Sequence, residues 1–433
     1  MKQHTKLLIG GLGVTFASYS QANLTPKPHI GIAGIDFQSQ LGMKYGRDSN
    51  VTYQTQSNDS VESDYVMVEP YLQAVGERGE DQYLLVYSGK YLQYQDQTST
   101  VDDYSDHYFL FLPKWRFGDK HELNWFIEQT WGHEDRGTGL TEGFTNEQFR
   151  QYGINQPLSS ELLNSELRYI YGRSEGRGHF NLALQVKDLS FTDTDTVEQT
   201  SADFYAYIED QQWQEKTVTI ELFDQYSKDT RFRYSSINNY RHYASSPIRD
   251  SDEHYLVFGI KSKRSGKTSV EGDIAWLHKD FKNNPQAQTF DGFNWQAALN
   301  WKPVKHSEFQ LYGSRRVEDP TEVGGYILKT KYGLSWNHKW FVDRLNTKFD
   351  VGQEFEDYKS QDSDREDSSN VASFALGYDF RPSVRLEFNY QYTSKTSNHE
   401  TTTFYIGENT NIPEIRQLGY NKSQFDLMLK VQI

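Results

Sequence analysis

Val384-Arg385-Leu386-Glu387-Phe388-Asn389-Tyr390-Gln391-Tyr392 alternates without a break. Val384, Leu386, Phe388, Tyr390 and Tyr392 fall on one side, and Arg385, Glu387, Asn389 and Gln391 on the other. That is the period of two that sends successive side chains to opposite faces of a β-strand. One face suits hydrocarbon and the other water. Residues 180–187 repeat the pattern, with Phe180, Leu182, Leu184 and Val186 against Asn181, Ala183, Gln185 and Lys187. Residues 293–302 repeat it again, with Phe293, Trp295, Ala297, Leu299 and Trp301 against Asn294, Gln296, Ala298, Asn300 and Lys302.

Followed outward along the chain, the alternation predicts strands at 33–45, 64–76, 82–94, 105–117, 122–133, 163–172, 178–188, 202–210, 217–227, 253–263, 268–278, 291–301, 307–315, 325–337, 344–356, 370–380, 384–394 and 421–433. Long connections (46–63, 95–104, 134–162, 189–201, 228–252, 279–290, 316–324, 357–369, 395–420) alternate with short turns such as Phe117-Gly118-Asp119-Lys120, Ser265-Gly266-Lys267 and Phe380-Arg381-Pro382-Ser383. An even number of strands joined in this way brings both chain ends to one side. The expectation is all-β: a transmembrane outer-membrane β-barrel of about eighteen antiparallel strands, with short periplasmic turns, long extracellular loops and both termini periplasmic. Phe425, Leu427, Leu429, Val431 and Ile433 alternate to the last residue, as in a terminal strand read by barrel-assembly machinery, although Ile433 stands where an aromatic is usual. An apolar ladder of that kind at the edge of a soluble sheet would invite aggregation.

The N-terminus reads as an export signal. Lys2 and Lys6 are followed by an apolar run from Leu7 to Phe16, and Ser20-Gln21-Ala22 forms a small-x-small cleavage site before Asn23. This divides the chain into a signal peptide (1–22), a periplasmic segment (23–32) and the barrel (33–433). Nothing after it supplies 18 consecutive apolar residues, so no transmembrane helix is expected.

Composition excludes several classes. The 433 residues carry 60 Asp and Glu against 45 Lys and Arg, a formal charge of −15 that is unfavourable for nucleic-acid phosphates. Thirty Tyr, 26 Phe and 9 Trp rule out an acidic disordered chain and suit the aromatic girdles of a membrane barrel. With no Cys, there is no disulfide, thiolate metal site, cysteine nucleophile or lipidated cysteine.

The wet faces supply the candidate lumen-lining residues: Glu166 and Arg168; Asn181, Gln185 and Lys187; Glu271 and Asp273; Asn294 and Gln296; Lys329 and Lys331; Lys348 and Asp350; and Arg385, Glu387, Asn389 and Gln391. Both signs are present, which predicts weak net ion selectivity, and the amides and hydroxyls suit sugar hydroxyls. Equally, the charges could pair and only stabilise the interior. No Ser/His/Asp grouping, metal signature or cofactor motif emerges, so neither catalysis nor a cofactor is expected. His133-Glu134-Asp135-Arg136 has no zinc-binding spacing and reads as a strand end or loop start. The acidic run 362–367 could hold divalent cations or bridge to lipopolysaccharide, but its ordinary reading is a solvated loop.

Lys44-Tyr45-Gly46-Arg47-Asp48-Ser49-Asn50-Val51, Ser63-Asp64-Tyr65, Tyr87-Ser88-Gly89-Lys90-Tyr91, Asp103-Tyr104-Ser105-Asp106-His107 and Gly132-His133-Glu134-Asp135-Arg136-Gly137 follow one another in an order that resembles the putative β-barrel porin 2 family. Over residues 44–140 the resemblance rests on these motifs, and beyond 150 on strand and loop rhythm. It implies an outer-membrane pore that exports an exopolysaccharide or capsular polysaccharide, with lipid bilayer, lipopolysaccharide and a periplasmic polysaccharide-export protein as partners. The alternatives are an oligosaccharide uptake porin and a structural or adhesive barrel.

Overall fold

The computed structural model describes residues 29–32, 34–55, 59–96, 100–173, 176–320, 325–341, 343–360, 364–406 and 412–432. The expected signal peptide, Ile433 and Asp362 of the acidic run lie outside the described residues.

Eighteen antiparallel strands close into a barrel. In chain order they are β1 (Ile35–Asp48), β2 (Ser63–Arg78), β3 (Asp81–Tyr94), β4 (Tyr104–Phe117), β5 (His121–Glu134), β6 (Leu158–Tyr171), β7 (Gly178–Thr192), β8 (Trp213–Ser227), β9 (Thr230–His242), β10 (Ser251–Ser265), β11 (Thr268–Phe281), β12 (Phe290–Val304), β13 (Ser307–Glu318), β14 (Gly325–Trp340), β15 (Leu345–Ser360), β16 (Glu366–Arg381), β17 (Val384–Ser397) and β18 (Tyr420–Gln432). Each pairs with its sequence neighbour. The ring is completed where β1 meets β18, from Gln40 opposite Gln432 to Asp48 opposite Gln424. A short strand, His29–Ile32, extends the edge of β1 below that seam.

Long and short connections alternate as expected, but one strand lies elsewhere than the alternation put it. Of residues 202–210, Ala202–Glu209 form a helix and none forms a strand. Ser201 caps it by accepting from the Phe204 N–H, and its buried residues Phe204, Tyr207 and Ile208 recur at i, i+3 and i+4. The strand that takes its place in the count, β9, lies inside the 228–252 segment read as a loop, and it pairs along its length with β8 and β10. Its apolar face is interrupted by Ser236 and Asn238, and its one aliphatic residue, Ile237, falls on the polar face. That combination hides the period of two.

Burial is inverted relative to a soluble protein. On β7, Asn181 and Lys187 are each 4% exposed, whereas Leu184 is 53% exposed. On β17, Arg385 is buried while Phe388 and Tyr390 are exposed. The apolar face therefore looks outward, bounded by aromatic residues. Trp276 packs edge-on against Phe293 on one side, and on the other Trp301 lies tilted against Phe309, which stacks on Trp336. Phe293 and Trp301 are eight residues apart on β12. At about 3.3 Å per residue this is roughly 26 Å along the strand, or about 20 Å of height once tilted, close to the apolar band of an outer-membrane barrel.

Candidate functional site: a capped polar bore

The polar face is a continuous network of ion pairs and hydrogen bonds. Arg168 on β6 holds Glu166 at 2.8 Å and Glu221 on β8 at 2.7 Å, and Asn181 on β7 donates to the same Glu221. Glu221 then meets Arg233 on β9, which reaches Asp273 on β11 at 2.8 Å, and Gln296 on β12 donates to Asp273 at 2.6 Å. Five of the seventeen candidates are thus joined in one chain of contacts: Glu166, Arg168, Asn181, Asp273 and Gln296. Nearer the long loops, Lys187 pairs with Glu215 at 2.9 Å and Gln185 donates to Asn164. Lys329 sits among Glu318, Glu354 and Glu356, with Lys331 at 3.7 Å from Glu354. Arg385 binds Glu387 and Asp379, Asn389 donates to Asp426, and Tyr312 donates to Asp350. Glu271 pairs with Lys261, and Asn294 is buried. Lys348 stands opposite Asn337 and Ala375, and Gln391 opposite Ser373 and Gln424, so both share the face of their neighbours.

A second element has no counterpart in the strand pattern. Segments of four long connections fold together at the loop end of the barrel into an apolar cluster that includes Phe144, Phe149, Tyr152, Phe204, Tyr207, Tyr243 and Phe404. Three α-helical pieces contribute, among them Asp195–Thr200, which brings Val197. The remaining two are α1 (Asn146–Gln151), with Thr145 and Gln148 forming a capping box, and Ala202–Glu209. A hairpin, Thr401–Ile406 with Ile412–Gln417, joins them. The Gln417 N–H donates to the Gly143 carbonyl. Gly143 has φ +73°, and a Cβ there would come within 2.2 Å of the Gln417 carbonyl, so the contact requires glycine. Arg416 is buried against the Phe404 ring and donates to the Leu140 carbonyl and the Tyr207 hydroxyl.

Glu142 ties this cap to the far wall. It leaves the barrel after β5 and pairs with Lys395 on β17 and with Arg365 at the start of β16, at 3.1 Å. Counting β5, β4, β3, β2, β1, β18 and β17, the two anchor points stand six strand positions apart. Segment 135–157 is therefore a chord across the mouth. Burial pushes the Glu142 carboxyl up, but Lys395 and Arg365 outweigh it and hold the group well below the usual carboxylate range. Asp319, at the end of β13, is likewise held low against burial by Lys279 and Arg241. A local trace of the cap is Thr145-x-x-Gln148 ahead of Phe149, a helix start inside the long 134–162 connection that does not say what the helix packs against.

The two loop motifs resolve into structure. His133 lies between Asp106 and Asp135 at 2.7 and 3.0 Å, Glu134 accepts from the Leu140 N–H, and Arg136 forks onto Asp102. Asp135 is desolvated, yet His133 and Lys422 bring its carboxyl down to about 2. In the acidic run, Asp367 is spent on Arg365 and Lys395, and Asp364 meets His399. Among the described residues no group of three His, Asp or Glu is arranged to hold a metal ion.

A closed barrel with an apolar outer wall, a charged inner network and a loop cap defines a porin-like protein of the outer membrane. The chain belongs to the family described as putative beta-barrel porin 2, whose model matches residues 166–407. The family is the one that the motifs between 44 and 140 suggested, although the match itself covers the later part of the chain. Similar solved structures include OpdQ of Pseudomonas aeruginosa (9% identity, TM-score 0.49, 93% of this chain and 98% of that one). OccAB4 of Acinetobacter baumannii (9%, 0.47, 92% and 98%) and the FrpB iron transporter of Neisseria meningitidis (9%, 0.45, 92% and 81%) are also similar. Likeness at these values carries no functional conclusion. No curated protein sequence matches the chain.

Proposed function

We propose that this chain is a passive, non-enzymatic outer-membrane channel for small hydrophilic solutes of the saccharide class, taken up through a bore lined by the polar face. Its long loops and cap face outward, its short turns and both termini face the periplasm, and residues 1–22 are removed on export. The observation behind this reading is the chord from β5 to β17 through Glu142, backed by the apolar cluster. A chord in that place narrows the mouth of the barrel, and an apolar core is not readily displaced by passing solute. Bonded rows of amides, carboxylates and guanidinium groups offer sugar hydroxyls both donors and acceptors.

Export of an exopolysaccharide or capsular strand, paired with a periplasmic export protein, would require the cap to move aside for every chain. A fixed cap of this kind favours uptake of small solutes. Proteoliposome swelling with a graded series from monosaccharide to hexasaccharide tests it. Rates should fall steeply with size beyond the disaccharides. Rates independent of size, or no permeation at all, would overturn the reading. Loss of secreted glycan on deletion of the gene, with growth on sugars unchanged, would restore export.

A further inference from the structure

We propose that the inner wall over β2 to β5 is a binding shelf for uncharged saccharides that carry a planar apolar aglycone, aryl glycosides, with the aglycone on the shelf and the sugar turned to the polar groups around it. The site rests on the channel reading above, since the shelf meets only solutes that enter the bore. None of the lumen candidates drawn from the alternation lies on these four strands, and here the inward phase is apolar. Val75 stands opposite Leu84 and Leu84 opposite Leu112; one step nearer the loops Val86 stands opposite Leu110. Phe126 continues the patch on β5, between Asn124 and Glu128, the partners of Lys114 and Leu110. Neighbours fix the face: Glu69, in phase with Val75, pairs with buried Lys44, whereas Leu72 and Leu85 in the other phase look outward, 51% and 39% exposed.

Nearer the mouth the same wall is apolar again, with Tyr65, Met67, Leu92 and Tyr94, but there Val51 and Val61 of the first long connection pack against it. Among the described residues the lower six belong to neither buried cluster, and all but Val86 are half-buried. An apolar patch left open and rimmed by polar groups is the form a ligand-binding surface takes. The rim is polar on every side. Tyr71, Ser88 and Tyr108 stand in a row above the patch, and Gln82 and Lys114 below it. The upper row ends at Gln73 and Glu128, the lower at Asp36 and Glu166. These groups offer sugar hydroxyls both donors and acceptors. Around the shelf Asp36, Glu77, Glu128 and Glu166 outnumber Lys114 and Arg168, which disfavours an anionic solute such as an aromatic acid. Three intervals between strands and two residues along them make the patch about 14 Å by 7 Å, the size of one aromatic ring joined to one sugar. Its side chains rise from a single sheet surface, so a planar group matches it and loses little conformational freedom on settling there.

The test is saturation-transfer NMR of the whole barrel folded in deuterated detergent, with phenyl glucoside, methyl glucoside and benzoate as probes. Phenyl glucoside should bind about tenfold more tightly than either of the others, with the strongest transfer at its ring protons. Leu84→Gln/Leu110→Gln should lower that affinity by about tenfold, and Gln82→Leu, which lengthens the shelf, should raise it. Heat-modifiable migration on gels confirms that each variant is folded. Equal affinity for phenyl and methyl glucoside, benzoate bound as tightly as phenyl glucoside, or an affinity for phenyl glucoside that neither variant changes would overturn the site. Entry of a disaccharide into wild-type proteoliposomes is measured apart: entry with no preference for phenyl glucoside in the binding assay defeats the shelf alone, and no entry of any sugar defeats the channel.

Discussion

Replacing Glu142 with Gln should loosen the cap without opening the barrel wall. The carboxylate serves Lys395 and Arg365 together, and both cations keep a second partner, since Lys395 also meets Glu356 and Asp367 at 3.1 Å and Arg365 meets Asp367. Removing one partner of a buried ion pair costs about 3 to 5 kcal/mol, and the remaining carboxylates place this case near 3. At about 1.4 kcal/mol per decade, the open population of the cap rises roughly a hundredfold. Single-channel recording in planar bilayers should then show more frequent and longer excursions to a larger conductance, and protease should cut within 135–157 far faster than in wild type. Acid should mimic the substitution. Because the folded carboxyl sits below its unfolded value, its contribution is complete above the ordinary glutamate range and is lost as pH falls through the depressed folded value. Wild type should therefore become noisier on acidification while the Gln variant, already lacking the charge, changes less. Identical conductance and identical cleavage in the two proteins would refute the latch and leave the apolar cluster as the only restraint.

Phe204, fully buried among Phe144, Tyr152 and Tyr207, should cost the cap about 3 to 5 kcal/mol when cut to Ala, read as faster amide exchange in 193–212 with the barrel strands unaffected. Because the chain has no Cys, single cysteines at 385, 386, 387 and 388 allow clean labelling: a small membrane-impermeant thiol reagent should modify 385 and 387 and spare 386 and 388, and the opposite pattern would exchange inside for outside. N-terminal sequencing of the membrane-extracted protein should begin at Asn23, and an intact Met1 would sink the export signal.

The barrel was legible because one solvent lies on each side of its wall, which forces the period of two wherever a strand crosses lipid. β9 escaped because its outward row dips to Ser236 and Asn238, and Ile237 falls among arginines. The helix at 202–209 was mistaken for a strand because Phe204, Tyr205, Tyr207 and Ile208 crowd both periods, and only the Ser201 cap separates them. Candidate lumen residues could be chosen from phase alone, but their partners could not. Arg168 meets Glu221 across two strands, and a pairing of that kind depends on register, which alternation does not carry. The cap was beyond reach for a related reason: Phe144, Phe204 and Phe404 come from three connections, and nothing local marks them as neighbours.

The seam between β1 and β18 has a consequence for assembly. Tyr45 lies opposite Leu427, so the first strand to leave the translocation pore waits for the last before its hydrogen bonds are made. Until then the chain has two bare edges and an outer surface fit only for lipid. A chain that stops anywhere before residue 420 lacks β18 and leaves an open sheet with both rims unpaired. Completion is all-or-nothing, and the final dozen residues hold a veto over the preceding four hundred.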